Sequence, residues 1–377
     1  MKAVIAAYAR SPFHFAKKGA LSTTRPDDLA AQVVRGLLSR IDLDPALIED
    51  VILGCAYPEG PQGNNLARIV GLLSGLPHSV AGTTVNRFCG SSMQAIHMAA
   101  ANIEVGMGEA FLCVGVESMS MVPQGGLNSS PNPQLISSSH AYISMGDTAE
   151  NVAERWKVSR QEQEAFAVLS QAKAAAARAE GRLRDEIVPI VTPEGVSVTE
   201  DGCIRPNTTL DALANLKPAF RPDGVVTAGT ASPLTDGAVA VLVTSEEFAK
   251  QHNLQATARI LSFAVAGVAP EIMGMGPVPA TLKALARASL DASSLGVVEI
   301  NEAFASQALA SIRDLNLDPK KANLDGGGIS IGHPLGATGA RITAKAAALL
   351  QRENQRYALA TQCVGGGQGI ATILERL

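Results

Sequence analysis

"GVVEINEAF" (residues 296–304), "GGGISIGHPLGATGARITAKAAALL" (326–350) and "YALATQCVGGG" (357–367) follow one another in the second half of the chain. Three stretches of the first half are arranged in the same way: "DVILG" (50–54), "VNRFCGSSMQAIHMAAANI" (85–103) and "EAFLCVGVES" (109–118). In each triplet a short β-branched run precedes an alanine-rich stretch of helical spacing, and a second apolar run follows. That alternation predicts an α/β fold. The interval from Val51 to Cys89 nearly matches the interval from Val297 to His333, so the halves read as an internal repeat with Cys89 and His333 at equivalent places. Two such units packed about a pseudo-twofold axis bring both turns to one shared site.

Composition narrows the function classes. The chain has 377 residues, 46% hydrophobic and 18% charged, enough to bury more than one core. A net charge of −4 and only 4% aromatic residues provide neither the basic field nor the stacking surfaces of nucleic-acid binding. Cys55, Cys89, Cys113, Cys203 and Cys363 are scattered and include no C-x-x-C pair. They fit neither a metal site nor a disulfide framework, and they point to a reducing compartment. The apolar run in "MKAVIAAYARSPF" (1–13) is too short for a signal segment and reads as the first strand. No stretch approaches the ~18 continuous apolar residues of a membrane span, and a cytoplasmic protein is expected.

Between the repeats, "PQGGLNSSPNPQLISSSH" (123–140) is mostly Gly, Pro, Ser and Asn and predicts a surface excursion without regular structure. The following "DTAENVAERWKVSRQEQEAFAVLSQAKAAAARAEG" (147–181) predicts helices that start at two capping boxes, Asp147 with Glu150 and Ser159 with Glu162, and stop at Gly181. The expected division is a first unit of residues 1–118 with 233–255, an inserted unit of 119–232, and a second unit of 256–377.

Chemistry concentrates at the repeat turns. Cys89 reads as a thiol in the first turn of a helix, where unpaired N–H groups and the macrodipole lower its pKa and its own N–H can hold an oxyanion. The alternative is a small buried core residue. His333 sits between Gly332 and Pro334 in a glycine-rich run, with its imidazole fixed and uncovered, or else serves structurally at a helix start. Neither glycine-rich run carries a phosphate-loop pattern, and no acidic ribose-binding residue stands at the dinucleotide spacing. Cys363 follows an apolar run and precedes flexible glycines; as a second thiol it exchanges a proton, or it is a core residue. Asn301, beside Glu302 at a strand end, donates a hydrogen bond, holds a water, or caps a helix.

"NRFCGSSMQA" (86–95), "MGDTAE" (145–150), "VTAGTASPLTDGA" (226–238), "MGMGPVPAT" (273–281), "NEAFA" (301–305), "GGGISIGHPLGATGAR" (326–341) and "CVGGGQG" (363–369) occur in the order found in thiolases. The chain resembles that family over nearly its whole length, and within it the degradative 3-ketoacyl-CoA branch. The resemblance implies a five-layer α-β-α-β-α sandwich of two related α/β domains, with an inserted loop domain over coenzyme A. It implies a homodimer or homotetramer, no metal, and no bound cofactor beyond coenzyme A as co-substrate. The implied partners are therefore acyl-CoA and coenzyme A, with a complex with a hydratase/dehydrogenase subunit left open.

By the same resemblance Cys89 matches the acylated nucleophile, His333 its base, and Cys363 the acid/base at the α-carbon. Asn301 matches a residue that orients a water in the enolate oxyanion hole, and the N–H groups of Cys89 and Gly365 match the other hole. Ala228 and Ser232 match positions along the pantetheine, Arg205 one near the nucleotide, and Met145 another position on the coenzyme A side. The implied reaction is thiolytic cleavage of 3-oxoacyl-CoA through an acyl-cysteine, as in fatty acid β-oxidation.

Ser144 stands where short-chain condensing thiolases carry His, and "TASPLTDG" (230–237) departs from their "NASGLNDG"; both favour the degradative branch. The alternative is a short-chain acetoacetyl-CoA thiolase running the Claisen condensation. A ketoacyl synthase of the same fold lacks the second thiol, and a non-catalytic lipid carrier is expected to lose at least one of the four reactive groups.

Overall fold

The structure, a computed structural model, describes residues 2–377. The first repeat supplies β1 (Ala3–Arg10), β2 (His14–Phe15), α1 (Pro26–Leu38), β3 (Asp50–Gly54), α2 (Leu66–Leu73), β4 (Ala81–Val85), α3 (Ser91–Glu104) and β5 (Ala110–Ser118). Then come α4 (Pro133–Ser138), α5 (Met145–Arg155), α6 (Arg160–Ala179), β6 (Ile190–Val191), β7 (Ser197–Val198) and α7 (Leu210–Ala214). The chain returns through β8 (Thr235–Ser245) and α8 (Glu246–Gln251). It then forms β9 (Ala258–Gly267), α9 (Pro277–Ala288), β10 (Val297–Ile300), α10 (Ala305–Asp314), α11 (Leu335–Arg352), β11 (Tyr357–Val364) and β12 (Gln368–Arg376).

The expected repeat is visible in the pairing. In the first half β3 runs parallel to β4 and β5, and β5, β8 and β1 continue antiparallel. In the second half β10 runs parallel to β11, and β11, β12 and β9 continue antiparallel. The counterpart of β4 is reduced to a single parallel bridge, Val298 to Ala322. The halves join edge to edge where Val4 pairs Arg259 and Ile5 pairs Ala258, giving one continuous nine-stranded path with β2 added beside β8 as the tenth strand.

Strand alternation assigns the layers. Along β8, Ala238, Ala240 and Leu242 face a core shared with Leu29, Val33 and Val34 of α1, and Val239, Val241 and Val243 face a central core with α3 and α11. Along β12, Ile370 and Leu374 join the same central core, whereas Ala371 and Ile373 pack on Ala280 and Ala284 of α9. Helices thus cover both faces of both sheets, which explains why β5 and β8 are buried along their whole lengths and apolar through their centres. The expected five-layer thiolase-type sandwich is the architecture observed.

The central helices approach closely at their N-terminal ends because the residues there are small. A Cβ on Gly339 would lie 2.5 Å from the Met93 nitrogen, and one on Gly54 2.2 Å from the Ser92 nitrogen. The Ala340 N–H donates to Ser92 Oγ at 2.9 Å, stitching α11 to α3.

The intervening segment departs from expectation in two places. Helix α5 begins one turn early, because Ser144 caps the Asp147 N–H at 3.1 Å, and Glu150 instead accepts from the N–H groups of Val225 and Val226. The excursion also holds the short exposed helix α4, capped by Asn132. The Ser159/Glu162 capping box is present, and Gly181 ends α6 at φ +77°.

The segment is tied down by buried ion pairs: Arg10 of β1 binds Glu186 and Asp201, and Lys345 of α11 binds Glu186 and Asp325. Breaking one such buried pair costs about 3–5 kcal/mol, because the remaining charge loses its compensation.

Candidate active site

Cys89 lies just ahead of α3 rather than in its first turn. The helix opens at Ser91 with Gly90 as cap, and Phe88 takes a left-handed φ of +44° to make the corner. Ser91 holds that corner: its Oγ accepts the Arg87 N–H at 2.9 Å and donates to the Phe88 carbonyl at 2.6 Å. Gln362 donates to the Cys89 carbonyl from the other half of the fold. The Cys89 side chain is half-buried against Ala16, Ala56, Met119, Leu335 and Tyr57.

The expected low thiol pKa is reversed. Burial pushes the Cys89 thiol up to about 11; the Gly365 N–H and its own N–H pull it down, and the Glu117 carboxylate pushes it further up. Desolvation outweighs the helix end here. Cys89 therefore rests as a thiol.

His333 is 4% exposed and follows Gly332, whose φ of +115° turns the chain into place. Its backbone N–H donates to Thr235 Oγ1 at 3.0 Å. Thr338 Oγ1 donates to the Pro334 carbonyl at 3.1 Å and so accepts from His333 Nδ1 at 2.6 Å, which leaves the lone pair on Nε2. Burial, helped by Arg341, lowers the imidazole to about 3, so it rests neutral. The Asn301 amide nitrogen lies 3.3 Å from Nε2 and 3.4 Å from Nδ1, against the ring edge between them. Asn301 is buried beyond the end of β10 and caps no helix; α10 begins later, behind Phe304. Glu302 points the other way, accepting from Ser170, Asn323 and the Ile329 N–H to hold the approach to the His333 loop.

Cys363 belongs to β11 itself and is 1% exposed, and Gly366 and Gly367 follow with φ of +77° and +82°. Burial raises its pKa first and the neighbouring Cys89 charge raises it further, so only one of the two thiols is easily ionised at a time. The Gly365 N–H reaches toward the Cys89 sulfur, as its effect on that thiol requires. Cys89 of the first repeat is thus brought together with Cys363 and Gly365 of the second, and Asn301 with His333.

Met145 packs in an apolar cluster with Cys363, Phe304, Ala231 and Val226. Ser232 adjoins it, its N–H bonded to the Ala303 carbonyl at 3.0 Å, while Ala228 is exposed at the turn before it. Arg205 stands apart, exposed, with its guanidinium 4.9 Å above the Phe15 ring.

The chain as a whole is similar to known proteins. A family model described as "Thiolase, N-terminal domain" matches residues 3–247, and one described as "Thiolase, C-terminal domain" matches residues 254–376. The chain belongs to the thiolase family. Among its relatives are a "3-ketoacyl-CoA thiolase" of Bacillus subtilis (strain 168), 46% identical over 99% of both chains, and one of Pseudoalteromonas translucida (strain TAC 125), 47% identical over 99% of this chain and 98% of the relative. A "3-oxoadipyl-CoA/3-oxo-5,6-dehydrosuberyl-CoA thiolase" of Escherichia coli (strain K12) is 47% identical over 95% of this chain and 96% of the relative. The protein is an enzyme of the acyltransferase class with thiolase function. Among the described residues, no helix is long and apolar enough to cross a membrane.

Several residues that shape this thiolase's site escaped the sequence reading. Phe220 and Phe304 meet edge to face at 5.8 Å, and a Cβ on Gly146 would fall 2.0 Å from the Phe220 ring, which explains the glycine after Met145. Phe304 was within reach as the aromatic of "NEAFA"; Phe220 carried no signal. Glu117, a charge at the end of the apolar run "EAFLCVGVES", did carry one.

Proposed function

We propose that this thiolase cleaves 3-oxoacyl-CoA into acetyl-CoA and an acyl-CoA shortened by two carbons, in two half-reactions through an acyl group on Cys89. The meeting of the two thiols across the repeats, together with the neutral His333 paired to Asn301, carries this reading. His333 Nε2 takes the Cys89 proton as the sulfur attacks the C3 carbonyl, and the resulting alkoxide is held by the N–H groups of Cys89 and Gly365. Collapse breaks the C2–C3 bond. The electron pair passes to the thioester enolate, whose oxygen faces the imidazolium and, through a water, Asn301. Cys363 gives its proton to C2, and acetyl-CoA leaves.

Acylation keeps Cys89 uncharged, so no neighbouring thiolate opposes ionisation of Cys363. The Cys363 thiolate then takes the proton of incoming coenzyme A, whose sulfur attacks the acyl group. Cys89 is expelled and recovers its proton from His333. Because Cys89 rests high and His333 rests low, the first proton moves only as the sulfur attacks.

Thr338→Val removes the acceptor that keeps Nδ1 protonated, and kcat is expected to fall about tenfold to a hundredfold, with Thr338→Ser restoring it. A valine variant within about twofold of wild type would show that the tautomer is set elsewhere.

On the coenzyme A side, Ala228 and Ser232 are assigned to the pantetheine, Arg205 to the nucleotide, and Met145 to the substrate and coenzyme A site. The assigned units are 1–118 with 233–255, the loop domain 119–232, and 256–377. The enzyme works in the cytoplasm as a homodimer or homotetramer in fatty acid β-oxidation, with coenzyme A as co-substrate and no resident metal or cofactor.

Ser144 and the "TASPLTDG" stretch support the degradative branch. 3-Oxohexanoyl-CoA and longer substrates are therefore expected to be cleaved with kcat/KM at least equal to that for acetoacetyl-CoA. The decisive series includes 3-oxoadipyl-CoA, the substrate named for the Escherichia coli relative. Preference for acetoacetyl-CoA alone would move the enzyme to the short-chain class, and preference for 3-oxoadipyl-CoA to a dicarboxylate class.

A further inference from the structure

We propose that Glu117 is a positioning residue whose carboxylate clamps the start of α11, and with it His333, to the loop that carries Ala56 and Tyr57 into the apolar cluster around Cys89. Glu117 ends β5 and is 0% exposed. Its Oε2 accepts the N–H of Ala56 at 2.8 Å and of Gly336 at 2.9 Å. Its Oε1 accepts the N–H of Tyr57 at 3.2 Å, Gln62 Nε2 at 2.9 Å and the Cys55 thiol at 3.6 Å. Burial raises the Glu117 carboxyl, and the hydrogen bonds of these neighbours, which all donate, pull it back toward the ionised form. Gln62 is in turn fixed through the Ser118 N–H and the Tyr57 carbonyl.

Two segments of one cluster meet at this carboxylate. Ala56, Tyr57 and Leu335, the last next to Gly336, share one apolar cluster with Cys89. The 18-residue α11 has no side-chain cap of its own, since its cap position is Pro334. Its first-turn N–H groups need an acceptor, and Glu117 supplies one from another strand. The contact admits no side chain at 336, where a Cβ would lie 2.8 Å from Glu117 Oε2 and 2.7 Å from the Cys55 Cα. His333 lies one turn upstream, so the clamp sets where the imidazole stands. The charge also reaches the thiols and phenol that face it: Cys55, Tyr57 and Cys89 are all pushed up by Glu117.

The inference rests on Cys89 being the acylated nucleophile. An acyl label on another residue of the wild-type enzyme would sink that reading before any variant is made. With the label on Cys89, Glu117→Gln and Glu117→Asp test the clamp itself. The glutamine keeps the shape but not the charge: kcat is expected to fall about tenfold to a hundredfold, and the pH midpoint for iodoacetamide alkylation of the Cys89 peptide to fall by about one unit. The aspartate keeps the charge but cannot reach both Ala56 and Gly336. Its alkylation midpoint is expected to stay at the wild-type value and its KM for coenzyme A within about twofold, while kcat falls by a similar factor. An unmoved midpoint in folded Glu117→Gln, or kcat within about threefold of wild type in either folded variant, overturns the proposal. If the glutamine variant does not fold, the aspartate variant alone decides, and a KM that rises in step with the loss of kcat also counts against the clamp.

Discussion

Cys89→Ser is expected to fold normally and to lose turnover by a factor on the order of 10⁴ or more. The hydroxyl fits the space of the thiol, and the side chain is only half-buried, so stability should change by no more than about 1 kcal/mol. The chemistry is less forgiving. The native thiol already rests near 11, and its base rests near 3. A serine hydroxyl ionises far less readily than a thiol and is a poorer nucleophile, so His333 cannot extract its proton early enough in the attack. Thiolysis measured on a folded variant, confirmed by an unchanged melting transition, tests this. Residual turnover within a hundredfold of wild type would mean that the thiol is not the attacking group.

Cys363→Ala should separate the two halves of the reaction. The alanine leaves Cys89, His333 and the N–H of Gly365 in place, so acetyl-CoA should still acylate Cys89, more slowly because the departing coenzyme A thiolate loses its proton donor. What disappears is the acid that faces the α-carbon. Exchange of acetyl-CoA α-protons with deuterated solvent should be lost, and turnover should fall about 10²- to 10⁴-fold. The native side chain is buried, and burial together with the nearby Cys89 charge keeps it protonated, which suits an acid that gives its proton only to a carbanion. Retained exchange in the folded variant would assign the proton transfer to another group, with His333 the nearest candidate.

Much of this architecture was readable before any coordinates, because the repeat carries it twice. The parallel pairs β3/β5 and β10/β11 occupy the places that the two triplets predicted. Cys89, His333, Asn301 and Cys363 were legible because each is a reactive side chain next to residues that leave a chain end open. The remainder depended on distance in space. The first-turn position assigned to Cys89 missed that Gly90 caps the helix, and a helix end is worth too little to offset burial of the sulfur.

Ser144 was read only as a departure from a substrate pattern; its hydroxyl is also the cap that starts α5. The capping of α11 by Glu117, and the ion pairs joining Arg10, Glu186 and Lys345, link residues far apart in the chain. No local window contains both partners, so neither propensity nor periodicity could report them. The Phe220–Phe304 contact is hidden for the same reason.

The account stands on where the acyl group is carried, and one measurement addresses that directly. Brief exposure of the wild-type enzyme to acetyl-CoA or a 3-oxoacyl-CoA, followed by acid quench, proteolysis and mass spectrometry, should place the added acyl mass on the peptide containing Cys89 and leave the peptide containing Cys363 unmodified. An acyl group found on Cys363, with Cys89 free, would contradict the assignment of the two thiols and the mechanism built on it.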